Sequence, residues 1–180
     1  MMYKVVNDAI SKSYQDLIEE VLTSEEFRWS YQPKITDNND AKDTNTGFGV
    51  TLLSDGYKSE YAGLLYPVLL EGFAKYRTDH KIENCFRIRA GMFVKNQTQG
   101  ANMPHVDWDF EHYTMLYYVN DSDGPTIIYD ESANMVDKIE PVKGRALIFS
   151  GDTIHASSSP KEHNCRIAIN YNFKIDERLH

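Results

Sequence analysis

The sequence predicts a mainly β fold with supporting α-helices, on three observations. From Cys85 onward the chain is a series of short runs that alternate apolar and polar residues, separated by turn-forming stretches such as 120–125 and 141–144. Alternation with a period of two marks strands that bury one face. Ahead of these runs lie two stretches with apolar residues at helical spacing. The twelve tyrosines and eight phenylalanines also suit a strand-rich chain. Two helices followed by about eight strands fit a double-stranded β-helix, or jelly roll, with the helices bracing one sheet.

The first helix is predicted over 11–24, where Tyr14, Leu17, Ile18, Val21 and Leu22 fall on one side and Ser11 or Ser13 can cap the start. Phe27, Trp29 and Tyr31 alternate and predict a strand. The stretch from Asp37 to Gly47 is polar and without periodicity, and it reads as a loop or solvated linker. A second helical region runs from about Ser59 to Tyr76, with Leu64, Leu65, Val68, Leu69 and Phe73 on one side. Pro67 lacks an N–H, so this helix starts or kinks there. There is no internal repeat. The chain reads as one domain over 1–180, with a helical support region and loop over about 1–80 and a jelly-roll core over about 85–175.

An apolar fraction of 41% and an aromatic fraction of 12% are those of a globular protein. No apolar run approaches the roughly 20 residues of a membrane span, and no export signal is apparent at the N-terminus. Two cysteines, Cys85 and Cys165, do not make a disulfide framework, so a cytoplasmic location is expected. The net charge of −8 argues against non-specific nucleic-acid binding, which needs basic surface. Arg87, Arg89 and Lys95 alternate before the central motif and read as solvent-facing charge.

That motif is MPHVDWDF, which places His105 and Asp107 two residues apart. On a strand, such residues share a face, about 6–7 Å apart at the backbone. Alone, the pair says little. With six histidines and fifteen aspartates, a chain of this length contains about half of one such pair by chance. Asp109 shares the alternating face, and His112 lies close by. The run GRALIFSGDTIHASSS strengthens the case, because a short apolar strand and a Gly151–Asp152 turn present His155 near the start of a second strand. Two histidines and one carboxylate on one face of a metal leave the opposite face open, as in non-haem Fe(II) oxygenases; four-coordinate zinc is the rival use of the same ligands. Arg166 opens the run RIAINYNF, where it shares a face with Ala168, Asn170 and Asn172. Its planar fork suits a carboxylate.

The runs HVD, TMLYYVND, GPTIIYD, IEPVKGRALIFSGDTIHA and RIAINYNF, in this order, resemble the 2-oxoglutarate- and Fe(II)-dependent dioxygenase superfamily, and within it the prolyl 4-hydroxylase-like group. The resemblance covers roughly 85–173. It implies that His105, Asp107 and His155 are the iron ligands and catalytic centre, that Arg166 pairs with the C5 carboxylate of 2-oxoglutarate, and that the Tyr118 hydroxyl helps to hold that carboxylate. Many prolyl hydroxylases carry a co-substrate-facing tyrosine about ten residues before the motif; here Lys95 stands near that place.

What the resemblance implies is an oxidoreductase that converts 2-oxoglutarate and dioxygen to succinate and carbon dioxide while hydroxylating a C–H bond. Fe(II) would be its cofactor and ascorbate a reductant. Its prime substrate would be a prolyl residue of a peptide or protein, or a small molecule. Trp108 and Phe110 flank the motif, as pocket walls or as core aromatics. Two alternatives stand beside this reading: a catalytically silent jelly-roll module, and a cupin-like metalloenzyme that does not use 2-oxoglutarate. The second has no use for the carboxylate clamp that Arg166 and Tyr118 would make.

Overall fold

The computed structural model describes residues 3–34, 46–97 and 100–176. Eleven strands and two helices follow in the order β1 (Tyr3–Val6), α1 (Lys12–Thr23), β2 (Ser30–Gln32), β3 (Gly47–Ser54), β4 (Tyr57–Lys58), α2 (Ala62–Tyr76), β5 (Lys81–Val94), β6 (Tyr113–Tyr118), β7 (Thr126–Tyr129), β8 (Met135–Ile139), β9 (Ala146–Ser150), β10 (His155–Ala156) and β11 (Cys165–Asp176). The major sheet runs β1-β9-β6-β11-β5-β3-β2, with β4 hanging on β3, and a minor sheet runs β10-β7-β8. Every pairing is antiparallel. The two sheets face each other as a double-stranded β-helix, as the alternating runs predict.

Period-two alternation gives each face of the major sheet its own partner. On β11, Ile167, Ile169, Tyr171 and Phe173 point outward and join Ile88, Ala90, Met115, Tyr117 and Ile148 in the main core. Helices α1 and α2 close that core through Ile18 and Leu22, and through Leu65, Val68, Leu69 and Phe73. Buried Tyr171 donates to the Leu65 carbonyl at 2.9 Å, tying the sheet to α2. The inner face packs Leu116, Tyr118, Leu147, Phe149 and Ala168 against Ile128 and Ile139 of the minor sheet. Buried Cys85 belongs to the outer core, where burial pushes its thiol up to about 12. Both cysteines are free.

Several expectations are corrected. The N-terminal half holds more than two helices, a loop and the one strand expected at 27–31: it has four strands, of which β1 and β3 extend the major sheet from both sides. The alternation at 27–31 gives a strand only over Ser30–Gln32. Phe27 turns into the core, and the Trp29 indole donates to the Leu22 carbonyl, so both residues close the end of α1 instead. Ser11 occupies the N-cap position of α1, but its side chain makes no capping hydrogen bond. Helix α2 starts at Ala62 and continues through Pro67, since the apolar stripe on both sides of the proline is held by the sheet. The polar stretch at 37–47 lies outside the described residues except for its end, where 46 leads into β3. Among the described residues no helix is long and apolar enough to cross a membrane.

Candidate metal centre

The mouth of the inner face holds His105, Asp107 and His155 together. One ligating atom from each lies within 4.8 Å of the others, and this is the one such group of three among the described residues. The local structure differs from a regular HxD strand. His105 forms an isolated antiparallel bridge with His155, each backbone N–H donating to the other's carbonyl at 3.0 Å, and Asp107 follows in a bend. The two histidines thus sit directly opposite each other, with ring centroids 4.7 Å apart. Asp109 and His112 are not in the group. His112 is buried beside Gly151, with Nδ1 against the Phe110 carbonyl at 2.7 Å.

The donor set fits a metal. The Nδ1 atoms of His105 and His155 meet the carbonyls of Met103 and Thr153 at 3.1 and 3.0 Å. A carbonyl only accepts, so each Nδ1 carries the proton and each Nε2 keeps its lone pair for a ligand. Burial pushes the His155 imidazole down to about 4, with Asp107 opposing, so it is neutral near pH 7. On Asp107, Oδ2 accepts from Asn172 Nδ2 at 2.7 Å, Asn170 Nδ2 at 3.0 Å and Thr114 Oγ1 at 3.2 Å. Oδ1 faces Arg87 Nη2 at 3.3 Å and His105 Nε2 at 3.9 Å. Burial would raise this carboxyl, but His155, protonated in the acid range where Asp107 titrates, with Arg87 and the two asparagine amides, outweighs it and holds the group well below the usual range. Asp107 is therefore an oriented anion with one oxygen saturated. Two imidazoles and one monodentate carboxylate are the donors that suit Fe(II) with open positions.

Deeper on the same face lies a second polar cluster. Arg166 is 2% exposed. Its Nη2 donates to Thr126 Oγ1 at 2.8 Å, and its guanidinium stacks near the rings of Tyr118 and Phe93. The Tyr118 hydroxyl also donates to Thr126 Oγ1, at 2.8 Å. Thr126 thus accepts twice, which leaves its own proton to donate into the cavity it lines. Arg166 Nε has no hydrogen-bond partner among the described residues. A buried guanidinium without a carboxylate among the described residues, beside a hydroxyl with a proton to give, is a receptor for a carboxylate. Tyr118 reaches Thr126, while Arg166 and Thr126 line the cavity itself.

That cavity has a volume of about 520 Å³ and runs from Thr126 and Arg166 past the His–Asp–His group to Arg89, Thr51 and Lys34. Arg87, expected to face solvent, instead braces Asp107 and lies over the Trp108 ring, 5.2 Å from its centroid. Trp108 and Phe110 are neither core residues nor cavity walls. They are 39% and 41% exposed and pack on Phe86 beside the site. Sequence reasoning missed Thr114, Thr126, Asn170 and Asn172. The usable signal was positional, since Asn170 and Asn172 share the face of Arg166 in the alternating run.

Comparison with known proteins agrees with this geometry. Residues 91–174 match the family model described as the 2OG-Fe(II) oxygenase superfamily. Among solved structures, the chain is similar to a prolyl hydroxylase from Trichoplax adhaerens in complex with a hypoxia inducible factor oxygen degradation domain peptide fragment. The TM-score is 0.65 at 16% identity, covering 96% of this chain and 83% of that one. An oxidoreductase of the 2OG-Fe(II) oxygenase family from Burkholderia pseudomallei aligns with a TM-score of 0.68 at 13% identity, covering 96% and 84%. The viral collagen prolyl hydroxylase of Paramecium Bursaria Chlorella virus-1, in its 2OG complex, aligns with a TM-score of 0.58 at 15% identity, covering 96% of each chain. No curated protein sequence matches the chain.

Proposed function

We propose that this chain, whose residues 91–174 match the model of the 2OG-Fe(II) oxygenase superfamily, couples oxidative decarboxylation of 2-oxoglutarate to hydroxylation of a C–H bond. His105, Asp107 and His155 would hold Fe(II), and Arg166 with Thr126 would hold the far carboxylate of 2-oxoglutarate, Tyr118 acting through Thr126. The observation that carries the reading is the pairing of these two features on one face. A three-donor metal group lies at the mouth, and a buried guanidinium with no carboxylate partner among the described residues lies behind it. A silent binding module has no need of both, and a cupin-like metalloenzyme leaves Arg166 without a role.

When bound, Fe(II) supplies the activation of dioxygen and the oxidation of the co-substrate. This chain's residues do the rest. Asn172, Asn170 and Thr114 fix Asp107 so that a single oxygen is presented. The Met103 and Thr153 carbonyls fix the imidazole tautomers. Arg166 and Thr126 fix the acid's orientation, and the apolar wall of Phe93, Leu116 and Ala168 keeps water from its carbon chain. A prolyl residue of a peptide or protein is the substrate we favour, because two of the similar structures are of prolyl hydroxylases.

The test is Arg166→Ala. Succinate formation, measured against 2-oxoglutarate concentration, should show half-saturation raised at least about 30-fold, as expected when one partner of a buried charge pair is removed. Metal affinity, measured separately, should stay within about threefold. Unchanged half-saturation would remove Arg166 from the site.

A further inference from the structure

We propose that Arg87 sets the oxidation-state preference of the metal centre, its fixed charge favouring divalent over trivalent iron; this rests on the oxygenase reading above. The two oxygens of Asp107 keep different company. Oδ2 takes three neutral donors, from Asn172, Asn170 and Thr114, at 2.7, 3.0 and 3.2 Å. Those three suffice to orient the carboxylate. Arg87 faces the other oxygen. Its Nη2 lies 3.3 Å from Oδ1, the atom left for a metal. What Arg87 adds at that atom is charge.

The guanidinium is fixed in this place. Arg87 lies across from Asn172 in the pairing of β5 with β11, and its Nε donates to Asn172 Oδ1 at 2.7 Å. Asn172 is fully buried, and its Nδ2 turns to Asp107 and to Thr114 Oγ1, at 2.7 and 2.9 Å. Arg87, Asn172 and Asp107 thus close a ring of contacts. The guanidinium also lies over the Trp108 ring, 5.2 Å from its centroid. The Arg87 side chain is 21% exposed, so little water is left to screen it. A guanidinium does not lose its proton. Such a cation acts on a bound metal in two ways of the same sign. It draws electron density from Oδ1, which makes the carboxylate a weaker donor, and it repels the ion directly. Both effects grow with the charge of the ion, so a trivalent ion is opposed more strongly than a divalent one. The neutral donors on Oδ2 carry no such direct repulsion. Ferrous iron is the state that takes up dioxygen, so a site tilted in this direction stays competent.

The experiment is an anaerobic redox titration of the iron-loaded protein without co-substrate, the ferric signal being followed by electron paramagnetic resonance and Mn(II) affinity being measured alongside. Arg87→Met removes the charge and keeps an apolar stem. Its potential should fall by at least about 59 mV, which for a one-electron couple is a tenfold rise in ferric over ferrous binding. Arg87→Lys keeps the charge and should recover most of that shift. Should Arg87→Met fail to fold, Arg87→Gln removes the same charge and leaves a donor for Asn172. An Arg87 that only braces Asp107 gives another signature, a loss of Mn(II) affinity with no change in potential. That result overturns the inference, as does a potential that falls as far in Arg87→Lys as in Arg87→Met. If the wild type binds neither Mn(II) nor Fe(II), the oxygenase reading fails and this inference with it.

Discussion

Asp107 shows how much of the site is settled by single contacts. Three donors on Oδ2 leave Oδ1 to a metal, and the same donors keep the carboxylate ionised despite burial. His155 is tuned by the opposite route. Its pKa is depressed to about 4 by burial, so in the pH range 4–6.5 the unfolded chain binds a proton that the folded chain refuses. Stability of the metal-free protein is therefore complete above pH 6.5 and falls as pH drops toward 4. The total from this residue is on the order of 3 kcal/mol. Asp107 carries the loss further below pH 4, since its folded pKa is also depressed. Denaturant melts in the presence of a chelator should show the 6.5-to-4 slope in the wild type and a flatter one in His155→Gln. Parallel slopes would mean that His155 is not buried in neutral form. At this scale the sequence was legible for the residues that bind and poor for those that support them. Asp107 and His155 carry recognisable chemistry, whereas Asn172 and Thr126 matter through partners 65 and 40 residues away, Asp107 and Arg166.

The elements were legible where the pattern was long. β11 alternates over its whole length, and its two faces became the core and the site floor. Arg166 was ambiguous because the less apolar face of an isolated strand reads as the solvent face; only the minor sheet opposite turns it inward. β1, at four residues, carries too little pattern to be read, and it forms by joining β9, far away in sequence. Helix α2 shows the reverse case, a local rule overridden. Proline in a helix interior costs about 3 kcal/mol in isolation, yet the stripe of Leu65, Val68, Leu69 and Phe73 is buried continuously across it. Tertiary burial holds this helix, so Leu69→Ala should destabilise the protein by about 2–5 kcal/mol with an unchanged urea m-value. A loss under about 1 kcal/mol would show that the sheet does not depend on α2.

For the whole molecule, the architecture explains why one short motif and a distant histidine belong together. The two-sheet roll brings β10 against the segment of His105, 50 residues earlier, through a single bridge. Arg166 comes to the same face from β11, because β11 pairs with β6 on one side and with β5 on the other. The family match over 91–174 runs from the end of β5 into β11 and holds His105, Asp107, Thr126, His155 and Arg166.

The central claim is that His105, Asp107 and His155 hold Fe(II) beside 2-oxoglutarate. Anaerobic titration of the protein with both, followed in the visible, tests it most directly. We predict a weak metal-to-ligand charge-transfer band that requires Fe(II) and 2-oxoglutarate together and is absent in a folded His155→Ala variant. A folded wild-type protein that gives no such band would contradict it.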